Sequence, residues 1–228
     1  MGNTKTEDER LFYLSLAVKE KYTKRELDRQ IDSNYYGRYI SSPDLALPSL
    51  TPTIDEDDYP NTRILDIYSL EFLDLPNQYK EKDFKDAILA NMKDFILEIG
   101  KDFTFIREEY KVHVSKQDFY IDLLFYNRTL SCLVAFELKV GPYKAEYASK
   151  MSLYLEALDR EVKKDHENPS VGVILCTSKD KDVVEYSMSK SMSQTLVSEY
   201  TLKLIDKKLL ENKLKEVKRI IEISEQLF

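Results

Sequence analysis

Tryptophan is absent from this chain of 228 residues, and cysteine and histidine occur only twice each. His113 and His166 stand far apart and no Cys-x-x-Cys occurs, so a structural zinc site has no ligand set to draw on. Cys132 and Cys176 each lie in an apolar run, where a thiol behaves as a small hydrophobe, and this usage fits a reduced, cytoplasmic setting. No Gly-x-x-x-x-Gly-Lys loop is present, so nothing points to ATP hydrolysis. The longest apolar runs fall far short of the roughly 20 residues that cross a bilayer, so no membrane partner is expected. Residues 1–8 lack the apolar stretch of a signal peptide. Gly2 followed by Thr6 matches a myristoylation pattern in form, but the match is too short to carry weight. No internal repeat is visible.

Charge of one sign is also lacking where a nucleic-acid binder would show it, for the net charge is −7. Its distribution is uneven: +1 over residues 1–42 (8 basic, 7 acidic), −5 over 43–62 (5 acidic) and −3 over 63–228 (26 basic, 29 acidic). Phosphate contacts dominate nucleic-acid affinity, so such a chain needs a local basic surface or bound cations to recruit that substrate. The acidic segment also contains Pro43, Pro48, Pro52 and Pro60, which makes 43–62 a linker. Before it, Thr6-x-x-Glu9 and Thr23-x-x-Glu26 read as capping boxes opening helices near 7–20 and 24–39, a helical hairpin over 1–42. After it, 63–228 forms the main domain. Phe84, Ile88, Met92, Phe95 and Ile99 make one stripe of a helix over 81–99, stopped by Gly100. The run 206–226 carries Leu209, Leu214, Val217 and Ile221 amid basic residues and suits a packing or oligomer helix.

The informative charges sit inside apolar strands. In 131–140 every residue but Ser131, Glu137 and Lys139 is apolar, the pattern of a buried central strand. Charged groups are rarely buried unless paired or bound to metal, because desolvating an ion costs several kcal/mol. Glu137 and Lys139 are two apart and share a face. With residues 127–130 closing a two-residue hairpin, Asp122 lies opposite Ala135 and Glu137 is its diagonal neighbour, about 7–8 Å away. Two carboxylates at that range can share a divalent cation, with Lys139 beside the attacking water, which is the layout of a metal-dependent nuclease site. The bland alternative is an exposed, salt-bridged hairpin. Flanking helices at 81–99 and 144–163 and a further strand at 171–176 favour the site, since that order builds a mixed sheet flanked by helices. On the second of those helices Tyr143, Tyr147, Lys150 and Tyr154 share one face. They are candidates for phosphate contact with core packing as the alternative; Lys144 and Glu146 are weighed against a solvated face. His113, in an alternating strand, reads as half exposed rather than catalytic.

The stretch from Phe119 to Tyr126, then Phe136-Glu137-Leu138-Lys139, Glu146-Tyr147-Ala148, Lys150-Met151, Tyr154-Leu155, Asn168-Pro169-Ser170 and Gly172 with Ile174-Leu175-Cys176 resembles the YhcG-type PD-(D/E)xK nucleases of bacteria. Arg25-Glu26-Leu27 with Gln30-Ile31 resembles the end of that family's N-terminal helical region, much of which has no counterpart here. The resemblance covers nearly the whole chain and implies an α/β restriction-endonuclease-like fold: a mixed sheet flanked by helices. It implies Mg²⁺ or Mn²⁺ held by Asp122, Glu137 and the backbone carbonyl of Leu138, with Lys139 positioning water. Relatives often add a carboxylate from the helix before the strands. Here Lys85 stands at that position beside Asp86, and Arg107-Glu108-Glu109 replaces a Gly-Arg-Gln-like run, so Asp86 and Glu109 are the candidates for a third ligand. The expected activity is endonucleolytic phosphodiester hydrolysis of nucleic acid, DNA before RNA, by a homodimer. One rival is a catalytically weak nuclease-fold adaptor binding nucleic acid or protein in a defence or mobile-element system; another is a purely structural oligomerisation protein.

Overall fold

The computed structural model describes residues 6–42, 64–100, 102–188 and 194–203. The acidic segment expected as a linker and the helix expected over 206–226 lie outside the described residues.

Helix α1 (Glu7–Glu20) opens where the Glu9 N–H donates to Thr6 Oγ1 at 3.2 Å. Helix α2 (Lys24–Asp32) carries the full reciprocal box, Glu26 N–H to Thr23 Oγ1 at 3.3 Å and Thr23 N–H to Glu26 Oε2 at 2.8 Å. The expected single helix over 24–39 is broken. Asn34 adopts the left-handed conformation, φ 52°, and α3 (Tyr35–Ser41) starts anew. Asparagine tolerates that conformation better than most residues, so the sequence licensed a break that the capping box, which marks only the helix start, does not reveal. The same residue type ends the next long stripe. Asn91 donates its side-chain amide to the Ala87 carbonyl at 2.9 Å and divides 81–99 into α4 (Glu81–Ala90) and α5 (Met92–Ile99). Such local bonds compete with the helical ladder.

Six strands form one sheet: β1 (Ile67–Ser69), β2 (Phe103–Val114), β3 (Gln117–Asn127), β4 (Cys132–Leu138), β5 (Val171–Cys176) and β6 (Gln194–Thr201), in the order β1-β6-β5-β4-β3-β2. β2, β3 and β4 run antiparallel; β4, β5, β6 and β1 are parallel. Every residue of β4 and β5 is buried, as a central parallel pair covered on both faces requires. Helix α6 (Glu146–Glu161) lies on one face, over Ile121, Leu124, Ala135 and Ile174. Helices α1, α3, α4 and α5 share the opposite core with Leu123, Phe125 and Phe136. Helix α7 (Lys181–Met188) precedes β6. At Gly172 in β5 a Cβ would run into the Met151 side chain, so glycine lets α6 approach the sheet closely.

The first three helices are clamped to the rest by buried charge. Arg38 and Glu98 are wholly buried and ion-paired. Glu98 also accepts the Ser69 N–H at 2.8 Å and Arg29 Nη1 at 3.2 Å, while Gln30 Nε2 donates to the Leu97 carbonyl at 3.1 Å.

Candidate active site

The strand-rich centre of the sequence converges at the C-terminal end of β4. The β3–β4 ladder pairs Asn127 with Cys132 and Leu123 with Phe136, so four residues, Arg128 to Ser131, make the turn. The expected two-residue turn is therefore corrected. Asn127 Oδ1 captures the Leu130 N–H at 2.9 Å and Ser131 takes φ 49°, which stabilises the longer loop. The resulting two-residue shift in register brings Asp122 level with Glu137 rather than diagonal to it. Beyond the last ladder pair, the Leu138 N–H donates to Asp122 Oδ2 at 2.8 Å, so a side chain takes the place of a strand bond.

Strand alternation slips at this point. Ile121 and Leu124, three apart, both pack on the α6 side, whereas Leu123 and Phe125 pack on the other. Across from Asp122, between the pairs Glu108–Leu123 and Tyr110–Ile121, Glu109 holds φ 45°. A left-handed glutamate costs about 1–3 kcal/mol, and such irregularities re-aim side chains beside active sites.

Glu137 is 1% exposed. Its Oε1 takes two ammonium groups, Lys150 Nζ at 2.6 Å and Lys139 Nζ at 2.9 Å. Its Oε2 is buried with no hydrogen-bond partner. Lys139 also reaches Glu81 Oε2 and the Leu138 carbonyl, each at 3.1 Å, and stands 5.4 Å from the Tyr147 ring centre. Burial works against the Lys139 charge, but Glu137 and then Glu81 hold its pKa above the ordinary lysine value. Lys150 is likewise raised, burial being outweighed by its bonds to Glu137 and Tyr154. Asp122 moves the other way from a surface carboxylate: burial first, then the Glu137 charge, push its pKa up to about 6 against the pull of the Leu138 N–H and both lysines.

Asp122, Glu137, Leu138, Lys139 and Lys150 are thus one constellation. Asp86 and Glu109 line an adjoining cleft of about 450 Å³ with Asp122 and Leu138. Glu109 is occupied by an ion pair with Lys85, which lowers the Glu109 pKa. Among the described residues, no three His, Cys, Asp or Glu side chains are gathered for a metal. Neither third-ligand candidate has therefore been brought to Asp122 and Glu137. Tyr143 is turned away, buried with its hydroxyl 2.8 Å from Ser187 Oγ. Lys144 is exposed, 3.9 Å from Glu146. Tyr154 donates to the Tyr120 carbonyl at 2.6 Å and braces α6 against β3. Glu81 was not singled out by sequence; its place one helical turn before Lys85 was the available signal.

The site's chemistry fits a divalent cation. A buried, unpartnered carboxylate oxygen faces a large desolvation cost, and the Asp122 carboxyl is raised first by burial and then by the Glu137 charge, both of which a bound cation would offset. Asp122, Glu137 Oε2 and the Leu138 carbonyl supply hard oxygen donors of the kind Mg²⁺ and Mn²⁺ prefer.

Residues 61–215 match the family model described as the YhcG PDDEXK nuclease domain. The chain belongs to the YhcG PDDEXK nuclease family. A curated relative, "Putative nuclease YhcG" of Escherichia coli strain K12, is 32% identical over 221 residues, covering 96% of this chain and 59% of the relative. The chain thus spans well under two thirds of that relative's length. Among solved structures, a repair endonuclease from Pyrococcus abyssi is 14% identical with a TM-score of 0.39, covering 57% of this chain and 50% of its own. An EndoMS–dsDNA complex is 14% identical with a TM-score of 0.38, covering 55% and 47%. The match to the nuclease-domain model begins after α3, so the helices clamped through Arg38 and Glu98 lie outside that domain, although the match to the Escherichia coli relative extends over nearly the whole chain. The whole proposed constellation lies inside the domain.

Proposed function

We propose that this YhcG-type domain hydrolyses phosphodiester bonds in nucleic acid as a divalent-metal-dependent endonuclease. The observation that carries the reading is the orphaned Oε2 of Glu137 beside Asp122 and Lys139. Asp122, Glu137 and the Leu138 carbonyl would hold the cation, Mg²⁺ or Mn²⁺. When bound, such an ion polarises the scissile phosphate and lowers the pKa of bound water. The protein's own part lies in placement and charge. Lys139, protonated and fixed by two carboxylates, orients the attacking water and offsets negative charge developing on the phosphate. Lys150, on the exposed side of Glu137, contacts the substrate backbone, with Tyr147 framing Lys139 and Lys144 adding an outer positive charge.

DNA is the substrate proposed ahead of RNA; attack by a positioned water needs no 2′-hydroxyl, so the chemistry is open to a strand that lacks one, and the two are compared directly in the cleavage test. His113, the histidine nearest in sequence to Asp122, is bonded to Asp118 on an exposed part of the β2–β3 hairpin, consistent with a site without an imidazole base. A homodimer through α1 is part of the proposal, supported by exposed Leu11, Leu14 and Val18 at spacings of three and four.

Calorimetric titration with Mn²⁺ and cleavage of labelled DNA and RNA panels test the reading. Asp122→Ala and Glu137→Ala should each abolish cation binding and cleavage while the fold persists. Unchanged affinity in both variants overturns it.

A further inference from the structure

Glu137 is bound in an unequal way. One oxygen carries two ammonium groups while the other, equally buried, carries none. The two lysines differ in kind. Lys139 belongs to the strand end, is buried, and has Glu81 as a second carboxylate partner. Lys150 comes from α6, its side chain is 46% exposed, and the carboxylate it meets is Glu137. Around this centre Glu81, Asp122 and Glu137 contribute three negative charges, and Lys139 and Lys150 two positive ones. Of the two ammonium groups, Lys150 is the one that can leave.

A dication placed against Glu137 meets Lys150 at close range, and two like charges a few ångströms apart repel strongly where water is excluded. The route out is open, because a lysine is a flexible four-carbon stem with a compact charge. A phosphodiester arriving at the site offers that charge a new partner. Lys139 has no such freedom.

We propose that Lys150 is a displaceable internal counter-ion, a positioning residue that competes with the divalent cation for Glu137 and transfers to the substrate phosphate when the cation is loaded. The inference rests on the metal-site reading above. It makes cation and substrate binding mutually reinforcing: each removes the obstacle to the other, a coupling that is reciprocal by thermodynamic necessity. It also answers the difficulty of an acidic chain that must bind a polyanion, since a lysine is released only where the cation is present.

The test is calorimetric Mn²⁺ titration of the full chain, wild type against Lys150→Met, Lys150→Gln and Lys150→Arg, with circular dichroism as a check on folding. Removing the competing charge should tighten Mn²⁺ binding about tenfold in the Met and Gln variants, a shift that a merely structural lysine would not give. Arg keeps the charge and should stay near the wild-type affinity. A phosphorothioate oligonucleotide should raise the Mn²⁺ affinity of the wild type by a larger factor than that of Lys150→Met, because the variant keeps only the direct attraction between cation and phosphate. Equal or weaker Mn²⁺ binding by the folded Met and Gln variants overturns the counter-ion role and leaves the metal site standing. Absence of Mn²⁺ binding in the wild type and all variants overturns the site itself, and the counter-ion role with it.

Discussion

Lys139 and Asp122 show how neighbours decide what a side chain can do. Lys139→Ala should retain Mn²⁺ binding, because Asp122, Glu137 and the Leu138 carbonyl remain, yet lose most cleavage. Lys139→Arg should not restore it, since a planar guanidinium cannot occupy the place of a compact ammonium held between Glu81 and Glu137. Full cleavage by Lys139→Ala would remove the lysine from the mechanism. Asp122 makes the pH prediction. Its pKa rises from 3.8 to about 6 on folding, so the native protein binds this proton more tightly than the unfolded chain does. Its ionisation therefore opposes folding fully above pH 6, and the opposition fades as pH falls toward 4. Asp122→Asn should accordingly be more stable than wild type at pH 8, on the order of 1–3 kcal/mol, with the gap closing below pH 6 in denaturant titrations. Mn²⁺ affinity of the wild type should fall over the same interval, as a ligand must lose its proton to bind. A flat affinity between pH 5 and 8 would contradict this.

Among the elements, those set by capping and by apolar composition were legible, and those set by a single asparagine were not. The Thr23 and Glu26 box, the buried β4 and β5, and α6 were all plain in the chain. The breaks at Asn34 and Asn91 were not, because a capping box marks only where a helix starts and the apolar stripe of 81–99 runs past Asn91 without interruption. The register of β3 on β4 also escaped, since Asn127 closes a longer loop by a side-chain bond that alternation does not encode. Fortunately for the site, the error was even, and an even shift preserves the face. The N-terminal helices give a prediction at this scale. Arg38→Ala leaves Glu98 charged and wholly buried with fewer partners, so the domain should lose about 3–5 kcal/mol. Guanidinium unfolding followed by circular dichroism measures it, and a loss below 1 kcal/mol would show that the clamp contributes little.

At the scale of the molecule, helices α1–α3 lie outside the match to the nuclease-domain model but share a core with α4, α5 and the sheet. Their outward face is apolar at Leu11, Leu14 and Val18. The proposed two-fold dimer would cover it and hold two sites in fixed relation, as cutting both strands of a duplex requires. Light scattering at high micromolar concentration should give twice the 26.8 kDa chain mass, and Leu11→Lys with Val18→Lys should return the monomer. A wild-type monomer at that concentration would rule the dimer out. No helix among the described residues is long and apolar enough to cross a membrane.

The sequence by itself determined the fold class, because central strands covered on both faces must be apolar and helices must carry a stripe; charges that broke the strand rule at Glu137 and Lys139 therefore stood out. It also carried Asp122 and Lys150 as candidates. Only the tertiary structure decided which of these share an atom. Lys150 and Glu137 are 13 positions apart and Glu81 and Lys139 are 58 apart. Their meeting depends on how α4 and α6 pack across the sheet, a matter of side-chain volume such as the absent Cβ of Gly172, which no local spacing records. The same holds for Glu98, an ordinary helix glutamate in the sequence, whose burial between Arg29 and Arg38 follows only from the docking of three helices on a sheet edge.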